Sequence, residues 1–119
     1  MKTDTTNGNP TQRDATLSSN VVFDLLADER RRRVLYYLSH KVGPVSLDEL
    51  AEYVADREEA PTSIRAAEIR LEFQHNHLWK LVDSDVLRYD PATDTVERKP
   101  AARSLDPHLE LAFVEDINR

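Results

Sequence analysis

From Ser19 onward, hydrophobic and polar residues recur with helical and strand periods, and the pattern predicts five helices and one β-hairpin. An apolar run over 22–26 follows the candidate cap residues Ser19 and Asn20 and predicts a first helix that ends near Ala27. Asp28 is the candidate cap of a second helix over 29–40. Its inner face has the spacing i, i+3, i+4, i+7 and consists of Arg31, Val34, Leu35 and Leu38.

A third helix is predicted after a break at Gly43 and Pro44. Val45 favours a short strand before it, and Ser46 with Glu49 three residues later forms a capping-box pattern. The inner face of this helix consists of Leu47, Leu50, Ala51 and Val54.

The longest predicted helix covers 64–82 and follows a charged segment over 57–63 that is typical of a loop. Either Thr62 or Ser63 can cap this helix. At about 100° per residue, one narrow arc is predicted to face the core, and it holds Ile64, Ala67, Leu71, Leu78 and Val82.

Two β-rich runs over 86–89 and 95–98 flank turn-forming residues at 90–94 and predict a hairpin. Ser104 is the candidate cap of a last helix over 105–117. Its apolar stripe is broad enough to need a partner surface, and we expect it to form a homodimer interface through Leu105, Leu109, Ala112, Phe113 and Ile117.

The predicted organisation is a polar, disordered tail over 1–18, a folded domain over 19–99 and an added helix over 100–119. The chain lacks cysteine, an apolar stretch of membrane-spanning length and the apolar core of a signal peptide, so we expect a cytoplasmic protein. Its net charge is -6, with 12 Arg and 4 Lys, and an acidic, Lys-poor surface is typical of halophilic archaea. Near-molar salt screens net charge, so the placement of individual basic residues decides the partner.

Three helices followed by a two-stranded wing is the element order of a winged helix-turn-helix, a mainly α (α+β) fold. The helix before the wing enters the major groove of double-stranded DNA in such proteins, and here that helix is 64–82. On a helical wheel its outer side carries side chains that can contact bases and phosphates: Arg70, Gln74, Asn76, His77 and Lys80. The base of the wing adds Arg88, Arg98 and Lys99, whereas Asp90 and Asp94 at its tip would face phosphate.

The run LADERRRRVL over 26–35 resembles the junction of the first two helices in ArsR-like winged-helix regulators, and Arg31 falls on that family's arginine. HLWKL over 77–81, followed by DVL over 85–87, resembles the end of the family's recognition helix and its entry to the wing. The span 20–99 is also similar to a haloarchaeal winged-helix domain family marked by an Arg-rich second helix and a His-x-His-Leu motif, here 75–78. The resemblance implies a DNA-binding transcriptional regulator.

The chain departs from the ArsR-like pattern in two respects. Asp85 stands where the family has Gly, and a left-handed turn is less favourable for Asp than for Gly. The metal-sensing members use cysteines or clusters of carboxylates and histidines, so metal sensing is not carried over and no cofactor is expected. His75 and His77 would point about 200° apart on a helix and cannot ligate one metal.

The alternative is a winged helix that binds protein instead of DNA. Ile69 and Phe73 fall on the predicted DNA side, where an exposed apolar pair can contact thymine methyl groups or a protein partner. A positive strip along the 64–82 helix would favour DNA, and an apolar strip would favour a protein partner. An enzyme is not expected, because the sequence shows no Gly-rich phosphate loop and no nucleophile beside a base.

Several side chains have a second interpretation at this stage. The Arg30–Arg33 run is either a phosphate clamp or a solvated, ion-paired helix face, with the Arg31 stem buried. His75 is expected to be a structural histidine at the edge of the core, and His77 to project outward. Trp79 is expected to pack against a neighbouring helix.

Overall fold

A computed structural model describes residues 16–58 and 63–117, and it shows a mostly helical α+β fold with one small antiparallel sheet. The predicted tail residues 1–15 and the loop residues 59–62, which include Thr62, lie outside the described residues. In chain order the elements are α1 Ser19–Leu25, α2 Glu29–Ser39, β1 Val45–Ser46, α3 Leu47–Arg57, α4 Ser63–Phe73, a π-helical turn Gln74–Leu78, α5 Trp79–Asp83, β2 Leu87–Asp90, β3 Thr95–Arg98, a 3₁₀ helix Pro100–Leu105 and α6 Asp106–Ile117. Within the described ranges, no helix is long and apolar enough to cross a membrane.

Side-chain caps fix the starts of the first three helices. Asp28 and Ser46 each accept a hydrogen bond from the backbone N–H three residues on, at 3.0 Å, as predicted. The cap of α1 is Ser18, one residue before the predicted pair, and α1 ends at Leu25. Glu49 donates its backbone N–H to Ser46, but its carboxylate accepts a hydrogen bond from the Tyr37 hydroxyl. These caps satisfy backbone donors that the first turn of a helix leaves without partners.

The sheet contains the predicted hairpin and one further strand. β3 lies in the middle, paired antiparallel with β2 on one side and with the two-residue β1 on the other. Val45 pairs with Val96, so the predicted short strand is confirmed and joins the hairpin. β2 begins at Leu87, one residue later than predicted, and Asp94 closes the turn in a left-handed conformation with φ 58°. The sheet therefore ties the start of α3 to the hairpin.

The hydrophobic core confirms the predicted inner faces of α2 and α3. All eight residues of those two faces are buried, including the charged Arg31. The last helix also contributes to this core, which corrects the prediction of a dimer surface. Leu105, Leu109 and Phe113 are buried within the chain itself, and the Phe113 ring stacks on Tyr36 with centroids 4.3 Å apart. Ala112 is half-buried, and the Ile117 side chain lies outside the described residues.

The long helix differs from its prediction because a π-helical turn interrupts it after Phe73. Ile69 and Phe73 were expected on the surface but are buried, whereas Leu71 was expected in the core and is 58% exposed. A π-turn accommodates one extra residue, which turns the following helix back by about 100° relative to a regular wheel. Ile69 and Leu78, about 180° apart on that wheel, thereby come to the same side.

The remaining residues of the predicted inner arc have mixed positions. Ala67 is exposed, so its predicted core position is wrong, whereas Val82 is half-buried and packs against the core. Leu78 is buried as predicted. The Ile64 side chain lies outside the described residues. Among the residues of this helix whose side chains the structure describes, the buried ones are Ile69, Phe73, His77, Leu78 and Leu81.

The helix ends in a Schellman motif at Asp85. The Val86 N–H donates to the Leu81 carbonyl at 3.2 Å and the Asp85 N–H donates to the Val82 carbonyl at 3.0 Å. Asp85 takes the left-handed conformation that this motif requires, with φ 69°, in the position where glycine is favoured. Its carboxylate pairs with Lys99 beyond β3, so the departure from glycine leaves the turn in place and adds a link to the hairpin.

Candidate interaction surface

The outward surface of the long helix carries a line of exposed side chains, which we call the outer ridge: Ala67, Leu71, His75 and Trp79. Leu71 and Trp79 are 58% and 53% exposed. They are eight positions apart, about 80° on a regular wheel, and the extra residue of the π-turn brings them into line to within about 20°. Glu68 and Asp83 are exposed on the same helix. The strip therefore consists of apolar side chains and one histidine, with acidic neighbours.

Trp79 extends the outer ridge towards the hairpin. Its ring meets Tyr89 of β2 edge to face, with centroids 5.9 Å apart and planes at 85°. The expected packing of Trp79 against a neighbouring helix is therefore wrong. The Tyr89 hydroxyl donates to the Asp94 carboxylate at 2.9 Å, and this interaction raises the pKa of Tyr89. An aromatic pair thus joins the helix to the hairpin.

The basic residues predicted to contact DNA from the helix are held by carboxylates. Arg70 pairs with Asp48 at 2.6 Å and with Asp94 in the hairpin turn, and these interactions hold its pKa above the ordinary value. Lys80 pairs with Asp24 of α1 at 2.7 Å, and its hydrogen bond lowers the pKa of Asp24. Each of these cations already has an anionic partner in the free protein.

Most of the other predicted contacts on the hairpin and helix are also engaged. Arg88 pairs with Glu97 across the hairpin at 3.1 Å, Arg98 pairs with Asp106 through two contacts at 2.7 and 3.1 Å, and Lys99 pairs with Asp85. The Asn76 amide donates to Glu72 at 3.1 Å, and Gln74 is half-buried. Arg98 and Lys99 therefore link the base of the hairpin to its flanking helices.

His77 is buried, so the prediction that it projects outward is wrong, and His75, predicted at the edge of the core, is exposed. The Arg31 guanidinium lies with one nitrogen 3.1 Å from His77 Nδ1. Because a guanidinium can only donate, Nδ1 accepts and the ring proton belongs on Nε2. Nε2 lies 2.8 Å from a Glu72 oxygen but is poorly aligned for a hydrogen bond.

Arg31 also donates to the carbonyls of Leu25 at 2.9 Å and Asp24 at 2.8 Å. The single Arg31 side chain therefore donates hydrogen bonds both to carbonyl oxygens at the end of α1 and to His77 in the π-turn. Sequence reasoning missed this contact because a regular wheel puts His77 on the outside. Both partners lie in sequence motifs, Arg31 in the Arg30–Arg33 run and His77 in the His-x-His-Leu motif over 75–78.

The other arginines of this run support the ion-paired interpretation. Arg30 binds Glu58 at 2.7 and 2.9 Å and Glu72 at 3.0 Å. The hydrogen bond from Arg30 lowers the pKa of Glu58. Arg33 pairs with Glu29 at 2.7 Å within α2. Together these interactions connect α2 to the end of α3 and to α4.

Among residues 16–58 and 63–117, no group of three His, Asp or Glu side chains is arranged to hold a metal ion.

No curated protein and no solved structure matches the chain. Residues 23–97, more than half of the chain, match a family model described as a domain of unknown function, DUF7344. The chain therefore belongs to the DUF7344 family.

Proposed function

We propose that the chain is a winged-helix domain that binds another protein through the outer ridge. The winged-helix assignment is supported by the element order, in which β1 lies between α2 and α3 and the hairpin follows the long helix. The strand order, with β3 between β1 and β2, is compatible with it. Since one fold serves many functions, the surface chemistry must decide between partners.

The observation that carries the proposal is the exposure of Leu71 and Trp79 on one line of the long helix. Aromatic and large apolar side chains are enriched at protein interfaces, and charged residues are depleted at their centres. Arg70 and Lys80 lie to the sides of this line and are tied to carboxylates. A sequence-reading DNA helix would instead present Arg, Lys, Asn or Gln outward.

DNA binding on this surface would require the exchange of existing ion pairs. A phosphate that approaches Arg70 meets Asp48 and Asp94, and one that approaches Lys80 meets Asp24. Like charges placed together at an interface disfavour the complex. A protein partner with apolar and basic side chains avoids this repulsion.

The test is partner capture in molar KCl from cells of the source organism, with the native chain, Leu71→Asp and a matched control. Leu111→Asp is that control, because Leu111 is 71% exposed but lies on α6. The proposal expects one recurrent partner that binds the native chain and Leu111→Asp and is lost with Leu71→Asp. Partners that bind all three chains equally would contradict it.

The captured partner is then purified and titrated against the chain. Trp79 is the single tryptophan of the sequence, so its emission reports on the outer ridge directly. Burial of the ring by the partner shifts the emission to shorter wavelength. An unchanged spectrum at saturation would place the contact elsewhere and reject the outer ridge.

DNA binding is the second candidate function, as in a transcriptional regulator, and one observation favours it. Arg70 lies where α3, the long helix and the hairpin turn meet, since it contacts both Asp48 and Asp94. In a winged helix, the helix before the wing enters the major groove of DNA, and Arg70 lies on that helix. Selection of genomic fragments in molar KCl, with an Arg70→Ala/Lys80→Ala variant as control, tests this. A recurring site recovered by the native chain alone would establish DNA binding and overturn the protein-binding proposal.

A further inference from the structure

The outer ridge runs along the axis of the long helix instead of winding around it. In a regular α-helix, a row of residues four apart is inclined by about 26° to the helix axis. Ala67 and Trp79 are about 120° apart on a regular wheel, and the π-turn reduces this angle to about 20°. At about 1.5 Å per residue, the ridge is about 18 Å long. It is therefore a straight line of side chains that follows the helix.

A straight ridge fits a partner helix that lies lengthwise on it. Helices whose ridges are inclined cross at about −50°, so only a short stretch of each helix is in contact. A ridge that follows the axis can stay in contact with an aligned helix over several turns. An α-helix also satisfies its own backbone N–H and C=O groups, whereas a single extended strand laid on this ridge would leave such groups buried without partners.

The charged groups beside the outer ridge are predominantly acidic. Asp83 is exposed and forms no ion pair within residues 16–58 and 63–117. The Glu68 side chain is 64% exposed and has only a loose contact of 3.5 Å with an arginine three positions before it. Of the cations on this helix, Arg70 is shared by two carboxylates and Lys80 is balanced by Asp24. The ridge therefore offers its partner an apolar line with negative charge beside it.

We propose, building on the protein-binding function above, that the partner presents a basic amphipathic helix that lies along the outer ridge. The apolar stripe of that helix covers Leu71 and Trp79, as in complexes where an amphipathic helix binds through apolar anchors one turn apart. Its Lys or Arg residues beside the stripe meet Glu68 and Asp83, and such complementary charges fix the register of an interface. The Tyr89 ring, in contact with Trp79, extends the apolar surface at the hairpin end.

Synthetic peptides without tryptophan test this chemistry, with the emission of Trp79 as the readout. The probe is a peptide of about 18 residues, long enough to form a helix, with leucines at helical spacing among lysines. One control has glutamate in place of every lysine, and the other alternates leucine and lysine with the period of a strand. At the lowest KCl concentration at which the chain stays folded, we expect the probe to shift the emission to shorter wavelength with saturation. Both controls should bind at least about tenfold more weakly.

Alanine variants, which leave the charge unchanged, locate the apolar contact. Leu71→Ala should weaken binding of the probe peptide at least about tenfold, because it removes an anchor of the interface. Leu111→Ala removes a side chain of the same kind from an exposed site on α6 and should leave the affinity unchanged.

Amide variants locate the charge. Glu68→Gln/Asp83→Asn should weaken the lysine probe and leave the strand-period control as weak as before. Glu52→Gln/Asp56→Asn removes the same charge from exposed sites on α3 and should have a smaller effect.

The helical partner is overturned if either control peptide binds as tightly as the probe, if the two alanine variants are equally weakened, or if the emission shift does not saturate. Should this happen while the captured partner still requires Leu71, protein binding by the outer ridge stands and its helical form is rejected. A native dimer in light scattering that Leu71→Ala disperses would assign the ridge to a second copy of the chain and also overturn the proposal.

Discussion

Helix α2 and the long helix over 63–83 face the same core, yet their side chains follow different rules. In α2 the buried residues Arg31, Val34, Leu35 and Leu38 keep the regular helical spacing throughout. In the long helix the spacing is kept on each side of the π-turn and is broken across it. A regular helical wheel drawn over the whole segment therefore places buried residues such as Ile69 on the surface and exposed residues such as Leu71 in the core.

One-residue deletions should give the largest difference between the two helices. Deletion of His75 turns the π-turn into regular helix and leaves Ile69, Phe73, Leu78 and Leu81 on one face, so the chain should stay folded. Deletion of Arg33 in α2 has no extra residue to absorb and rotates half of the inner face out of the core. That chain should not fold.

Circular dichroism and a cooperative urea transition measure the outcome for both chains. The π-turn would lose its assigned role if the two deletions proved equally damaging, or if the α2 deletion were tolerated.

Single truncations in the long helix should separate inside from outside by several kcal/mol. Phe73→Ala removes a buried ring and should cost about 3–5 kcal/mol. Leu71→Ala removes an exposed side chain and should change the free energy of unfolding by less than about 0.5 kcal/mol. Chemical denaturation of both variants measures their free energies of unfolding. A larger loss of stability for Leu71→Ala than for Phe73→Ala would favour a regular helix without the π-turn.

Arg31 links the two helices and should contribute less than the buried ring but more than a surface pair. Arg31→Met keeps an apolar stem but leaves two carbonyls and His77 Nδ1 without their donor, which should cost about 3 kcal/mol. Arg57→Met, at an exposed site, should cost less than about 0.5 kcal/mol. Similar denaturation midpoints for the two variants would show that the contact with the π-turn is dispensable.

The smallest expected effect is on the acid side of the stability curve. Arg30 lowers the pKa of Glu58, so this pair stabilises the fold above the ordinary glutamate pKa, and that stability is lost as pH falls through the lowered value. In Glu58→Gln, the free energy of unfolding should fall by up to ~1 kcal/mol less than in the native chain as the pH is lowered below about 5. Glu52→Gln, at an exposed site on α3, should leave the curve unchanged. Urea midpoints measured from neutral to acidic pH would contradict the prediction if Glu58→Gln kept the native slope.

The sequence predicted what depends on local spacing and capping. The inner faces of α2 and α3, the caps Asp28 and Ser46 and the hairpin all follow from neighbours a few residues apart. A π-turn has no comparable local signal, because its cost is offset by contacts distant in the chain, such as that between Arg31 and His77.

The candidate site was harder to predict for the same reason. Residue types showed which side chains could reach DNA, but not that Asp48 and Asp94 would hold Arg70 or that Asp24 would hold Lys80. Ion pairs between distant segments depend on the assembled fold. Leu71 and Trp79 could be recognised as one surface only after the π-turn was known.

The packing of the last helix decides where this chain can be shortened. The family match ends at residue 97, whereas Leu105 and Leu109 are buried beyond it and Phe113 covers Tyr36. A chain cut at the family boundary would uncover apolar surface on α2 and present it to other molecules. Self-association of such a fragment would then reflect a missing helix, so trimmed versions used in screens or binding assays should retain residues through 113.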